Sequence, residues 1–108
     1  MPGQTPRDRT VYVIELNRAV LTRKSFAEAN PQYRPGEPCV YVGMTVLTPQ
    51  ARFRQHKSGE RANRYVRKFG LRLLQEECVS DLTYQEAQEK EVGLATTLRL
   101  RGWAAWQK

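Results

Sequence analysis

The sequence predicts one small α+β domain, in which helices flank a central, mostly antiparallel sheet of three strands. Its 108 residues suit a single domain with one modest core. Two short apolar segments rich in β-branched residues come first, and segments with helical periodicity follow them. A strand pair followed by helices and a further strand is typical of a small α+β sandwich.

The N-terminal part is predicted to contain a tail, two strands and a long connection. Residues 1–9 are rich in Pro, Gly and Arg, which is typical of a flexible tail. Residues 10–16, TVYVIEL, are β-branched and aromatic and predict the first strand. The second strand, CVYVG at 39–43, is expected to end at its glycine. Between the strands, 17–29 favours a short helix, and a loop with three prolines follows it.

Two helices are predicted directly after the second strand. The first covers residues 47–59, where Thr48 suits the N-cap and Pro49 suits the first helical position. Gly59 suits its end. The second helix covers residues 61–69, with apolar residues on one face and basic residues on another.

The C-terminal part is predicted to hold a third strand and the longest helix. Residues 71–79 favour the strand, and residues 81–102 favour the helix. Thr83 and Glu86 have the spacing of a capping box at the start of that helix. The final segment, WAAWQK at 103–108, is either a last strand or a docking tail.

The positive charge of the chain is concentrated in one stretch. The formal net charge is +7, from 18 basic and 11 acidic residues. Eight of the basic residues and one of the acidic residues lie between Arg52 and Arg72, so this stretch alone carries the whole excess. A local basic patch is expected of a nucleic-acid-binding protein, and a solvated basic surface is the common alternative. We favour a polyanionic partner.

Composition and cysteine usage predict a cytoplasmic location. The sequence shows no export signal and no apolar run long enough for a membrane span, so no membrane partner is expected. Cys39 and Cys78 belong to no CxxC pair, and two reduced thiols are expected. Two cysteines and a single histidine make a poor zinc ligand set.

Three polar residues on the predicted helices have spacings that permit chemistry. Arg52 and His56 lie four residues apart, which places an arginine suited to phosphate and a proton-transferring histidine on one helix face. Glu91 falls within the apolar stripe of the last helix, near Ala87 and Leu98. A buried carboxylate is costly unless it is paired or binds a metal. A salt bridge to an arginine and a functional role are equally open.

The order of these residues resembles that of the GIY-YIG nuclease family. Family members carry a Gly-Ile-Tyr motif and then a Tyr-Ile-Gly motif. Here Tyr12 ends the first motif, in TVY, and Tyr41 begins the second, in YVG. The family's helix arginine, followed four residues later by histidine or tyrosine, is matched by Arg52 and His56. Its metal-binding glutamate is matched by Glu91. The implied fold is a GIY-YIG-like α+β domain.

The resemblance implies a metal-dependent endonuclease that hydrolyses DNA phosphodiester bonds. It covers about residues 10–103, and residues 17–38 form an insertion between the two motifs. Glu91 would be the protein ligand of one divalent cation, magnesium or another such as manganese. Because no second DNA-reading module is evident, cleavage is expected to be structure-directed, or directed by a homodimer or a partner protein.

The resemblance also implies roles for the other residues of the site. Arg52 would stabilise charge on the scissile phosphate. Tyr12 or Tyr41 would position or deprotonate the attacking water, and His56 would be a hydrogen-bond partner or a proton relay. A tyrosine with an ordinary pKa near 10 is a poor base at neutral pH, unless a metal or an arginine lowers that pKa.

The nucleic-acid contacts are expected along the second motif and the basic stretch. Backbone phosphates would be held by a strip of cations, which gives affinity without sequence information. The expected contact residues are Gly43, Thr45, Lys57, Arg61, Asn63, Arg64 and Lys68.

Two other functions stay open. The first motif has Thr10 where the family has glycine, and no asparagine follows Asn63 to support a metal site. These departures favour a nucleic-acid-binding module without catalysis. Trp103 and Trp106 near the C-terminus favour a protein-interaction domain instead.

Overall fold

Five strands form one mixed sheet. The computed structural model describes residues 5–107. Its strands are β1 (Arg9–Leu16), β2 (Cys39–Thr45), β3 (Gly70–Leu73), β4 (Val79–Leu82) and β5 (Ala104–Gln107). The strand order is β3-β1-β2-β5, and β4 also pairs with β1. β1 runs antiparallel to β2, β3 and β4, whereas β5 runs parallel to β2.

Within residues 5–107, four α-helices accompany the sheet, so the predicted α+β class is confirmed. They are α1 (Lys24–Glu28), α2 (Pro49–Ser58), α3 (Arg64–Phe69) and α4 (Tyr84–Leu100). Two short 3₁₀ helices lie at Arg18–Thr22 and Gln75–Glu77. No helix within residues 5–107 has both the length and the apolar character that crossing a membrane requires.

The predicted three-stranded sheet is wrong, first because the expected strand at residues 71–79 is interrupted. β3 and β4 run in the same direction along one edge of β1, and a 3₁₀ turn separates them. At the break, Leu74 is buried in the core and its N–H donates to the carbonyl of Val13. The 3₁₀ turn at Gln75–Glu77, which follows the buried Leu74, therefore divides the predicted strand into two short strands.

The sheet is also larger than predicted because the C-terminal segment forms β5. Its four residues pair in parallel with the first four residues of β2. A parallel pair needs a long crossover connection, and α4 is part of the connection here. β2 itself continues through Gly43 to Thr45, so the expected end of this strand at the glycine is wrong.

The helix boundaries largely follow the predicted capping residues. Thr48 accepts a hydrogen bond from the N–H of Ala51, and Gly59 ends α2 in the left-handed region with φ of 91°. Thr83 and Glu86 form the predicted capping box. The second predicted helix begins at residue 64 rather than 61, because the Asn63 side chain caps it by accepting from two backbone N–H groups.

The core has one layer on each face of the sheet. Helices α1, α2 and α3 cover one face, and α4 covers the other. The first layer includes Tyr12, Ile14, Leu16, Phe26, Cys39, Tyr41, Tyr65, Val66 and Phe69. The second includes Val11, Val13, Val40, Val42, Ala87, Leu94, Ala95 and Leu98. Cys39 is buried, Cys78 is half-buried, and both are free thiols.

The segment at residues 17–38, predicted to be an insertion, packs along the free edge of β5. The buried side chain of Asn30 accepts from the N–H of Ala105 at 2.8 Å and from Nε of Arg99 at 3.2 Å. Arg34 donates its backbone N–H to the carbonyl of Gly102. This segment therefore provides a partner for a backbone N–H at the edge of β5, and it packs as part of the folded domain. Residues 1–4 of the predicted N-terminal tail lie outside the described residues, and Arg9 already belongs to β1.

Candidate active site

Strands β1 and β2 place two tyrosines on the same face of the sheet. Tyr12 pairs with Gly43, and Tyr41 lies two residues before that glycine, so both rings meet above Gly43 with centroids 6.1 Å apart. A Cβ atom at Gly43 would lie 2.6 Å from Oη of Tyr12 and 2.8 Å from Cε2 of Tyr41. Only glycine leaves room for this arrangement.

His56 connects this tyrosine pair to helix α3. Its Nδ1 accepts the backbone N–H of Asn63 at 3.0 Å, and its Nε2 lies 2.9 Å from Oη of Tyr12. A backbone N–H can only donate, so Nδ1 carries no proton. In the neutral ring the proton is then on Nε2, and His56 donates to the phenol oxygen of Tyr12.

Burial keeps all three rings uncharged near neutral pH. Burial, and then the nearby charge of Arg52, lower the pKa of His56 to about 4. Burial is also the largest cause that raises the pKa of Tyr12 and of Tyr41. The neighbouring hydroxyl of Tyr12 and the charge of Arg52 act in the opposite direction and lower the pKa of Tyr41.

Arg52 lies beside these rings in a fixed orientation. Its guanidinium donates to Oε1 of Gln55 at 2.9 Å and to the backbone carbonyl of Arg61 at 2.8 Å. The carbonyl of Glu60 is a third, longer contact at 3.5 Å. Arg52 therefore carries a positive charge that the α2–α3 loop holds in place.

One cavity of about 510 Å³ opens at this cluster. Tyr41, Arg52, His56, Arg61, Ala62, Asn63, Arg64 and Trp106 line it. Tyr12 is 1% exposed and does not line it, so Tyr41 is the tyrosine that a ligand in this cavity would meet.

Glu91 approaches from α4, on the other face of the sheet. Its side chain is 7% exposed, and Oε1 accepts a hydrogen bond of 2.8 Å from Nε2 of Gln107 in β5. It lines a second cavity of about 330 Å³, together with Met44 and Gln107. The negative charge of Glu91 is the second cause that raises the pKa of Tyr41. The structure thus brings Tyr12, Tyr41, Arg52 and His56 together and leaves Glu91 in a neighbouring cavity.

The donor set around Glu91 fits only a metal that binds mainly to water and substrate. Within residues 5–107, no group of three or more His, Cys, Asp or Glu side chains could hold a metal ion. Magnesium is often held by one or two carboxylates, with waters and substrate phosphates completing its octahedral shell. The Glu91 carboxylate, oriented by Gln107, fits that type of site and not a cage made by protein alone.

Several predicted nucleic-acid contacts have structural roles. Gly43 is buried beneath the two tyrosines, and Oγ1 of the buried Thr45 accepts from the N–H of Leu47 at 3.0 Å. Asn63 caps α3 with its side chain and binds His56 through its backbone.

Lys57 also serves the protein itself. Its Nζ donates to the backbone carbonyls of Arg67 and Gly70, at 3.1 Å and 3.0 Å. These carbonyls lie at the end of α3, where they have no partner within the helix. Lys57 therefore fixes the end of α3 to α2.

Three predicted contacts remain on the surface. Arg61, Arg64 and Lys68 are exposed, and the first two line the cavity of the tyrosine cluster. The guanidinium of Arg64 lies 4.7 Å from the ring centroid of Tyr65 and 5.9 Å from that of Trp106. A cation stacked on aromatic rings is a surface suited to nucleic acid.

Sequence reasoning missed two residues of the site, Gln107 and Trp106. Gln107 holds Glu91, and Trp106 pairs in register with Tyr41 at the cavity. The apolar residues of WAAWQK are compatible with a strand, but nothing in the sequence specifies its parallel pairing with β2. That pairing brings both side chains to the site.

Comparison with known proteins gives no relative for this chain. No protein-family model, curated protein or solved structure matches it. The resemblance to GIY-YIG nucleases therefore depends on the ordered residues alone, and the functional assignment is made below as a proposal.

Proposed function

We propose that this chain is a metal-dependent endonuclease of the GIY-YIG type that hydrolyses DNA phosphodiester bonds. The observation that carries the proposal is the hydrogen-bonded series from Asn63 through His56 to Tyr12, which adjoins Tyr41 at a cavity containing Arg52. An arginine suits a phosphate group, and an adjacent phenol suits the attacking water. The cations around the cavity suit a polyanionic substrate.

Tyr41 is the residue that we assign to the attacking water, because it lines the cavity. Tyr12 is a positioning residue: it accepts from His56, and its hydroxyl beside Tyr41 favours loss of a proton from Tyr41. Burial and the charge of Glu91 raise the pKa of Tyr41, whereas the charge of Arg52, like the hydroxyl of Tyr12, lowers it. When bound at Glu91, a magnesium or manganese ion would polarise a phosphate oxygen and offset the carboxylate charge.

Arg52 would bind the scissile phosphate and stabilise the charge that develops on it. Its contacts with Gln55 and with the loop carbonyls hold the guanidinium in place before substrate arrives. Such preorganisation makes a charged donor effective in a transition state. His56 contributes as a neutral donor to Tyr12, because its Nδ1 is occupied by the Asn63 N–H.

The test is nicking of a supercoiled plasmid in the presence of magnesium or manganese and in the presence of a chelator. The wild type is compared with Tyr41→Phe, Glu91→Gln and Arg52→Gln. Tyr33→Phe is the matched control, because its hydroxyl bonds the Glu37 carbonyl away from the cavity. We expect metal-dependent nicking by the wild type and the control, and losses of about 10²- to 10⁴-fold in the three site variants.

Binding of a labelled oligonucleotide in chelator is measured in parallel. Glu91→Gln is expected to bind as the wild type does, because the loss of a negative charge does not weaken attraction to phosphate. Equal nicking by all proteins would contradict the proposal. Salt-sensitive binding by a wild type that never cleaves would favour the nucleic-acid-binding module instead.

A further inference from the structure

A second basic cavity lies next to the candidate active site. It has a volume of about 380 Å³, and it is lined chiefly by Arg23, Lys24, Arg64, Lys68, Tyr65 and Phe69. Arg64 also lines the cavity that contains Tyr41 and Arg52. The two cavities therefore meet at one cationic side chain.

The four cations of this second cavity come from two separate parts of the chain. Arg64 and Lys68 lie four residues apart on α3, whereas Arg23 and Lys24 belong to the inserted segment. All four are exposed. The ion pairs found within residues 5–107 involve Arg7, Arg9, Arg72 and Arg101 and none of these four cations.

The inserted segment is held firmly enough to place its two cations. The N–H of Asn17 donates to the carbonyl of Phe69 at 2.7 Å, which ties the start of the insertion to the end of α3. Phe26 is fully buried and packs edge-on against Tyr65 with centroids 5.4 Å apart. The guanidinium of Arg23 lies 5.4 Å from the ring centroid of Phe69.

We infer that this cavity is a phosphate subsite, in which Arg23 and Lys24 with Arg64 and Lys68 hold the backbone of a DNA strand beyond the scissile phosphate. The inference rests on the proposed function, since it takes the occupant to be the DNA bound at Tyr41 and Arg52. Cations that alternate with aromatic rings are typical of surfaces that follow a single strand. Arg64, shared by both cavities, lies where the strand passes from one to the other.

The test measures the binding of fluorescent single-stranded DNA by anisotropy in chelator, over a range of salt concentrations. The double variant Arg23→Gln with Lys24→Gln is compared with Arg54→Gln with Lys90→Gln, which removes the same charge from exposed positions outside both cavities. Probes of about 4 and about 12 nucleotides are used, within the range of site sizes of single-strand grooves. A charge-conserving double variant, Arg23→Lys with Lys24→Arg, tests rescue, and thermal unfolding confirms folding of each protein.

We expect the Arg23/Lys24 variant to bind the longer probe about tenfold more weakly than the Arg54/Lys90 control, and the shorter probe about equally. For the Arg23/Lys24 variant, the slope of log binding constant against log salt concentration should become shallower by about 0.7 for each phosphate that is no longer neutralised. The charge-conserving variant should restore the wild-type slope. Equal binding of the longer probe by the two variants would overturn the subsite. If the wild type nevertheless nicks plasmid, only the subsite fails. If the wild type neither binds nor cleaves DNA, the proposed function fails with it.

Discussion

Acidification is expected to destabilise the protein through His56, the only histidine in the chain. The ring is fully buried, and its Nδ1 accepts the N–H of Asn63. Protonation would place a donor on Nδ1 against that N–H, while the ring would also lose its hydration and lie near Arg52. Burial of the ring, and then the charge of Arg52, lower its pKa to about 4 in the folded protein, from an unfolded value near 6.5.

The sign and size of the effect follow from proton linkage. Between these two pKa values the unfolded chain binds a proton that the folded protein does not, so acid favours unfolding. The stabilisation is fully present above about pH 6.5 and is lost as the pH falls towards about 4. Each pH unit in this window contributes about 1.4 kcal/mol, which gives a total on the order of 3–4 kcal/mol.

Urea unfolding at several pH values, for the wild type and for His56→Gln, measures this contribution. Carboxylates titrate in both proteins, so the difference between the two pH profiles isolates the histidine. NMR titration of the single imidazole gives its folded pKa directly. A folded pKa near 6.5, or parallel stability profiles for the two proteins, would refute the reasoning.

Two further predictions concern the glycine under the tyrosines and the lysine at α3. Gly43→Ala should lower the free energy of unfolding by about 1–3 kcal/mol, because its methyl would displace the rings of the tyrosine pair. Gly93→Ala, in open space on α4, should be neutral or stabilising, and equal urea midpoints for the two variants would contradict this. Lys57→Met should cost about 1 kcal/mol, because its bonds to the two carbonyls disappear, and should leave the salt dependence of DNA binding unchanged. Lys68→Met should leave the free energy of unfolding unchanged and should reduce the salt dependence of DNA binding. If Lys57→Met weakened DNA binding more than Lys68→Met, the structural role assigned to Lys57 would be contradicted.

Local signals in the sequence predicted the helix ends well, because each depends on a few neighbouring residues. Thr48, Gly59, and Thr83 with Glu86 all cap as their types and spacings indicate. Glu91 is buried as its place in the apolar stripe predicts. Tyr84, in the first turn of the same helix, is 50% exposed.

The pairing of distant segments could not be predicted in the same way. The break between β3 and β4 depends on the 3₁₀ turn at Gln75–Glu77, and the parallel pairing of β5 depends on the path of α4. A strand of four residues is too short for either feature to produce a hydrophobic periodicity that the sequence would reveal. The site residues Trp106 and Gln107 were missed for that reason.

Some polar residues of the basic stretch satisfy unpaired backbone groups at the ends of helices, and others remain on the surface, where they could contact phosphate. A lysine near unpaired helix carbonyls and an asparagine near unpaired N–H groups both satisfy backbone groups, and the sequence alone cannot distinguish these roles from phosphate contacts. Lys57 and Asn63 serve α3 in this way, at its two ends. In doing so they orient the face of α3 that carries Arg64 and Lys68. The backbone N–H of Asn63 also sets the tautomer of His56, so the loop that positions the cationic face also determines the direction of the hydrogen bonds that reach the tyrosines.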